Sequence, residues 1–201
     1  MTGATDYLPA GEPTLSGLAH AAEGCHGCDL YRNATQTVFG EGPARARIVM
    51  IGEQPGDQED KEGHPFVGPA GTLLERALTE VGIAREEVYL TNAVKHFKFV
   101  ERGKRRIHKQ PGRTEIVACS AWLDAELRVV RPSVVVCLGA IAAKAILGSS
   151  VKVSQQRGVV VEQPDYQVVA TVHPAAVLRA SDRRSAYDAF VADLRGIAKL
   201  G

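Results

Sequence analysis

The chain has 201 residues, 45% of them hydrophobic, which is enough for one well-filled core and short for two domains. Its formal net charge is only +1, yet residues 95–113 hold eight basic residues against one acid, a local +7 that leaves −6 for the other 182. That focus fits a phosphate-binding segment, with a plain solvated loop as the competing reading. No apolar run approaches the roughly 18 residues of a membrane span, and residues 1–20 lack the apolar centre of a signal peptide. The expectation is a soluble, cytoplasmic protein with no membrane partner and no structural disulfides, and at this size a monomer.

In chain order, residues 1–13 are small, polar and Pro/Gly-containing and read as a flexible tail, leaving 14–201 as a single domain. Ala46–Ile51 is a short β-branched run stopped by Gly52, the pattern of a buried strand and its loop. Pro69-Ala70-Gly71 opens a helical pattern with Leu73, Leu74, Ala77, Leu78 and Val81 on one face. Val88–Thr91 reads as a second strand, 95–113 as a basic loop, and the segment after Thr114 as an amphipathic helix to about Val130. Ser133–Leu138 is a buried strand and Ala140–Leu147 a short helix. Residues 151–163 hold one or two strands, Gln167–Val172 a further strand, and Arg184–Lys199 a terminal helix. Strands alternating with helices predict an α/β sandwich on a mainly parallel sheet, whose sites lie outside the carboxyl ends of the strands.

The chemistry-bearing residues fall at those ends. Glu53 and Asp57 flank a Gln54-Pro55-Gly56 turn, and His173-Pro174 follows the last strand. Phe66 sits among small residues just before a helix start, where an aromatic ring can stack on a flat ligand and free N–H groups can hold a phosphate. Cys25-His26-Gly27-Cys28 has the spacing of a metal or cluster ligand pair, or of a redox pair, and its place before the first strand favours ligation. Cys119 is a third candidate ligand, and Cys137, inside an apolar strand, reads as a core residue.

GEQPGDQED (52–60), PFVGPAG (65–71), TNAVK (91–95), KRRIH (104–108) and HPAAVLR (173–179) together resemble the uracil-DNA glycosylase superfamily. The resemblance runs from about residue 20 to residue 198. It is to the iron–sulfur family 4 type and, through KRRIH, to the branch called UdgX. The resemblance implies a three-layer α/β/α sandwich, an enzyme of base-excision DNA repair, uracil-containing DNA (single-stranded favoured) as partner, and free uracil as product. It implies a [4Fe–4S] cluster on Cys25, Cys28, His96 and Cys119, with Cys137 as rival for the fourth position. Imidazole is a tolerated exchange for thiolate in such clusters. It implies Phe66 stacking on the flipped base, Asn92 reading its edge, Gly52, Gln54 and Gly56 shaping the pocket, and Lys95, Arg106 and Arg179 among the DNA contacts. His173 would stabilise the charge developing on the departing base.

In the UdgX branch the KRRIH histidine, here His108, attacks the sugar C1′ left by base departure and stays bonded to the DNA. Glu53 would orient it or take its proton, with Gln54 and Asp57 as weaker helpers. The surrounding cations would favour the neutral imidazole. Members commonly carry Ser where this chain has Ala175, which removes one hydroxyl contact. The competing readings are an ordinary turnover glycosylase with His108 as a phosphate contact, a non-catalytic lesion binder, and a redox-sensing regulator.

Overall fold

The computed structural model describes residues 3–200. Its elements are α1 (Leu15–Glu23), β1 (Ile48–Gly52), α2 (Asp57–Glu62), α3 (Pro69–Val81), β2 (Val88–Asn92), β3 (Phe99–Arg102), β4 (Arg105–His108), α4 (Arg113–Val130), β5 (Val134–Leu138), α5 (Ala140–Leu147), α6 (Val153–Gln156), β6 (Val160–Glu162), β7 (Gln167–Thr171), α7 (Pro174–Arg179) and α8 (Arg183–Ile197). The main sheet runs β2-β1-β5-β7-β6, parallel except for β6 on its edge.

The sheet is buried on both faces, which is why its strands read as continuous β-branched runs. Ile48, Met50, Val134 and Val136 face α3 and α8 through Leu74, Leu78, Phe190 and Leu194. The alternate residues Val49, Ile51, Val135 and Cys137 face Leu123, Leu127 and Ala143 of α4 and α5. A third cluster joins Leu18, Ala22, Phe39 and Trp122 with Cys25 and Cys119. The layers are therefore α/β/α, as expected from the alternation of elements.

Two segments differ from the reading of the sequence, and a third adds to it. Within the stretch read as a flexible tail, Ala4–Tyr7 forms a 3-10 turn, and Ala4 is buried in the third cluster. The basic segment is not a loop but carries the antiparallel ribbon β3–β4, with Phe99 opposite His108 and Glu101 opposite Arg106. Residues 151–163 hold one strand, within the one or two expected, and add one helical turn before it.

Lys95 is a further correction. It is not available to DNA, because its side chain is 1% exposed and its ammonium is bound inside the protein. Nζ donates to Glu126 Oε2 at 2.6 Å, Thr91 Oγ1 at 2.6 Å and Asn92 O at 2.8 Å. Glu126 Oε1 also accepts from Tyr89 Oη, Thr91 Oγ1 and Gly40 N. Removing one partner of such a pair strands a buried charge, so Lys95→Ala should cost about 3–5 kcal/mol of folding stability in urea denaturation. A loss below about 1 kcal/mol would contradict the pair's structural role.

Candidate active site

The carboxyl ends of β1, β2 and β7 and the β3–β4 ribbon surround a cleft of about 760 Å³. Of the residues singled out from the sequence, Glu53, Gln54, Gly56, Asp57, Phe66, Asn92, His108, His173 and Arg179 line it. They come from five separate stretches of the chain. The parallel register that sets Gly52 beside Asn92 begins the convergence.

Phe66, Asn92 and Gly52 are packed to the limit. A Cβ on Gly52 would lie 2.3 Å from Asn92 Oδ1 and 2.8 Å from Phe66 Cζ, so only glycine lets the two side chains meet over the end of β1. Phe66 has φ +59°, a left-handed conformation that costs a non-glycine residue roughly 1–3 kcal/mol. Its carbonyl is accommodated by Gly71, where a Cβ would stand 1.6 Å from Phe66 O. The ring lies 6.2 Å from the His173 ring at an interplanar angle of 24°.

His173 caps α7 with Nδ1, which accepts the Ala175 N–H at 3.1 Å. Nδ1 is therefore the unprotonated nitrogen of the neutral ring, and Nε2–H is the donor. Burial, then the charges of Arg179 and His108, push His173 down to about 4.

His108 and Glu53 face each other, with His108 Nε2 3.6 Å from Glu53 Oε1. That carboxylate oxygen is buried and, among the described residues, has no hydrogen-bond partner. The other, Oε2, accepts from Gln110 Nε2 at 3.4 Å. Burial pushes Glu53 up, opposed by Gln110 and Arg179. Burial and then Arg179 push His108 down, favouring the neutral imidazole. The expected cause, repulsion from the adjacent KRR cations, is not the one found.

Arg106 is the reason those cations act differently. It is not directed outward to phosphate. Its Nε donates to Asp57 Oδ1 at 2.5 Å, and Nη1 donates to Asp60 Oδ2 at 2.6 Å and Thr35 Oγ1 at 3.1 Å. The guanidinium also lies 4.9 Å from the Phe99 ring centroid and 5.4 Å from that of Phe97. Residues two apart share a face of a strand, so this anchor turns His108 to the same inner side. Asp57, bound by Lys61 and Arg106, is held below the usual carboxylate range and is an anchor. Gln54 is a clamp on the ribbon: its Nε2 donates to Lys98 O at 3.2 Å and Lys109 O at 3.0 Å, and its Oε1 accepts from Lys98 N. Sequence reasoning missed Gln110, Asp60 and Glu59. Each lies within three residues of a residue that it did name.

Cys25, Cys28 and Cys119 share the third cluster, whereas Cys137 lies in the core beside α5. Trp122 Nε1 donates to Cys25 Sγ and Lys95 N to Cys119 Sγ, both at 3.3 Å. Such N–H contacts suit ligating sulfur. His96 is buried, and its Nε2 lies 2.9 Å from Thr37 Oγ1, whose hydroxyl donates to Ala22 O. Nε2 is therefore the donor, and Nδ1 keeps the lone pair that ligation requires. Three thiols and one oriented imidazole fit a cluster. Among the described residues, no three such side chains converge on a single ion-sized point.

The sequence profile of the uracil DNA glycosylase superfamily matches residues 39–195. The type-4 uracil-DNA glycosylase of Archaeoglobus fulgidus is 35% identical over 195 residues, covering 93% of each chain. That of Thermotoga maritima is 37% identical over 170 residues, covering 84% of this chain and 85% of its own. That of Sulfurisphaera tokodaii is 36% identical over 163 residues, covering 77% and 71%.

The shift at His173 makes stability depend on pH with a defined sign. Unfolding lets the ring return from about 4 toward 6.5, so the unfolded chain binds the extra proton between those values. This contribution is complete above the unfolded value and is lost as pH falls toward the folded one. Thermal melts from about pH 7 to about pH 4.5 should show a shallower loss of Tm for His173→Gln than for the parent. Parallel curves would rule out the depressed value.

Proposed function

The chain belongs to the uracil DNA glycosylase superfamily, and we propose that it excises uracil from DNA and is then captured on the resulting sugar through His108. The observation that carries this reading is the pairing of His108 with the orphaned, buried Glu53 Oε1 at the mouth of a pocket formed by Phe66, Asn92 and His173. A flipped uracil stacks on Phe66 while Asn92 meets its Watson–Crick edge. Single-stranded DNA is favoured because an unpaired base costs less to extrude.

As the N-glycosidic bond breaks, its electron pair stays on uracil. His173 Nε2–H donates to the developing oxyanion, at no cost in proton transfer because the ring is already neutral. C1′ becomes oxocarbenium-like, and the Glu53 carboxylate stabilises it. The imidazole lone pair of His108 then fills the empty position at C1′, with Glu53 orienting the ring or taking its proton. Arg179 holds phosphate at the rim. A [4Fe–4S] cluster on Cys25, Cys28, His96 and Cys119 would act as a structural staple, because His96 and Cys119 bracket the ribbon that carries His108.

The rival reading is an ordinary turnover glycosylase, the activity for which the type-4 relatives are named. The two readings separate on one gel. Purified protein mixed with a uracil-containing single-stranded oligonucleotide and boiled in denaturant should give a retarded band that requires uracil. His108→Ala should abolish that band while alkali-labile abasic DNA accumulates. Abasic DNA with no retarded band in the parent would establish turnover instead. For the cluster, Cys119→Ser should lose the visible absorbance of the purified protein, and Cys137→Ser should keep it.

A further inference from the structure

Glu59 lines the cleft, is 9% exposed and lies on none of the reacting groups. Its two carboxylate oxygens are both used. Oε1 accepts the Gly68 N–H at 2.8 Å, and Oε2 accepts the Gly56 N–H at 3.1 Å. Gly56 belongs to the loop that carries Glu53, and Gly68 stands two residues beyond Phe66. One side chain therefore ties the acid-bearing loop to the ring-bearing loop.

Phe66 needs such a tie. At φ +59° an aromatic residue persists only where its surroundings over-determine it. Gly71 gives its carbonyl room but no attraction. Between residues 65 and 71, among the described residues, Glu59 supplies the one hydrogen bond that comes from outside the segment and the helix α3 it runs into. Gly68 leaves room for this bond, since a Cβ there would stand 3.0 Å from both Glu59 Oε1 and Gln58 Oε1.

Resting on the uracil reading above, we propose that Glu59 is a positioning residue that fixes the Phe66 ring over the base pocket and so controls uracil recognition without touching uracil. Glu59→Gln is the direct probe, because an amide accepts from one of the two N–H groups and turns a donor toward the other.

The experiment measures single-turnover uracil release from a single-stranded oligonucleotide by the full chain over a range of protein concentrations. It compares the parent, Glu59→Gln, Phe66→Leu, the double variant and Gly68→Ala. Glu59→Gln should lower the second-order rate of release on the order of tenfold to a hundredfold. Binding of uracil-free DNA of the same length should stay within about twofold. In the Phe66→Leu background the same change should cost less than about twofold, since coupled residues are not additive. Gly68→Ala should reproduce the loss from the other end of the bond. An equal cost in both Phe66 backgrounds, or a parallel loss of uracil-free DNA binding, would overturn the proposal. If Glu59→Gln does not fold, Gly68→Ala in the two backgrounds decides by the same criteria. A parent that releases no uracil would sink the uracil reading itself, a result distinct from additivity among active variants.

Discussion

The fold depends most on the buried pair Lys95–Glu126. Two charges that are 1% and 0% exposed are tolerable only because every neighbouring polar group is spent on them. The arrangement draws together Tyr89 and Thr91 of β2, the carbonyl of Asn92, the backbone at Gly40 and helix α4. The same lysine gives its backbone N–H to Cys119. Asn92 in the cleft and the Cys119 thiol are thus both held by one residue, the first by its side chain and the second by its backbone. The interior between them has little freedom to adjust one without the other.

At the cleft, desolvation sets the protonation states. Burial is the largest influence on Glu53, His108 and His173, and it acts in opposite directions on acid and base. Arg179 adds a common positive field that opposes protonation of both histidines. The result is a pocket that holds two neutral imidazoles around one carboxylate. One imidazole donates through Nε2, and the other is free to offer a lone pair.

The central strands were legible because strands buried on both faces must be apolar throughout, and Ile48–Gly52 and Val134–Leu138 announce themselves that way. The ribbon was not, because Val100 and Ile107 face outward and, Phe99 apart, the rest of its residues are polar or charged, so no apolar alternation marks it. Cleft residues at strand ends, such as Glu53, Asn92 and His173, followed from position and motif. The fates of Lys95 and Arg106 did not. A cation's partner is set by acids far away in sequence, here 31 positions on for Glu126 and 49 and 46 back for Asp57 and Asp60. Without those partners in view, a run of basic residues reads as one uniform phosphate grip. The fold divides it into internal anchors and outward charges.

Two four-residue strands that, among the described residues, have no further strand beside them are marginal by themselves. The ribbon borrows its order from Gln54 at its base and from Arg106 on its inner face. A ribbon held by so few contacts is the kind of element that opens locally, at less cost than a sheet buried on both faces. When it lifts, Phe66, Asn92 and His173 keep their places, because none of them is carried by it. The pocket that they form can then exist complete with His108 withdrawn. Residence of His108 in the cleft becomes an equilibrium of its own, set by Gln54 and the Arg106 ion pairs and separable from the shape of the pocket that Phe66, Asn92 and His173 form.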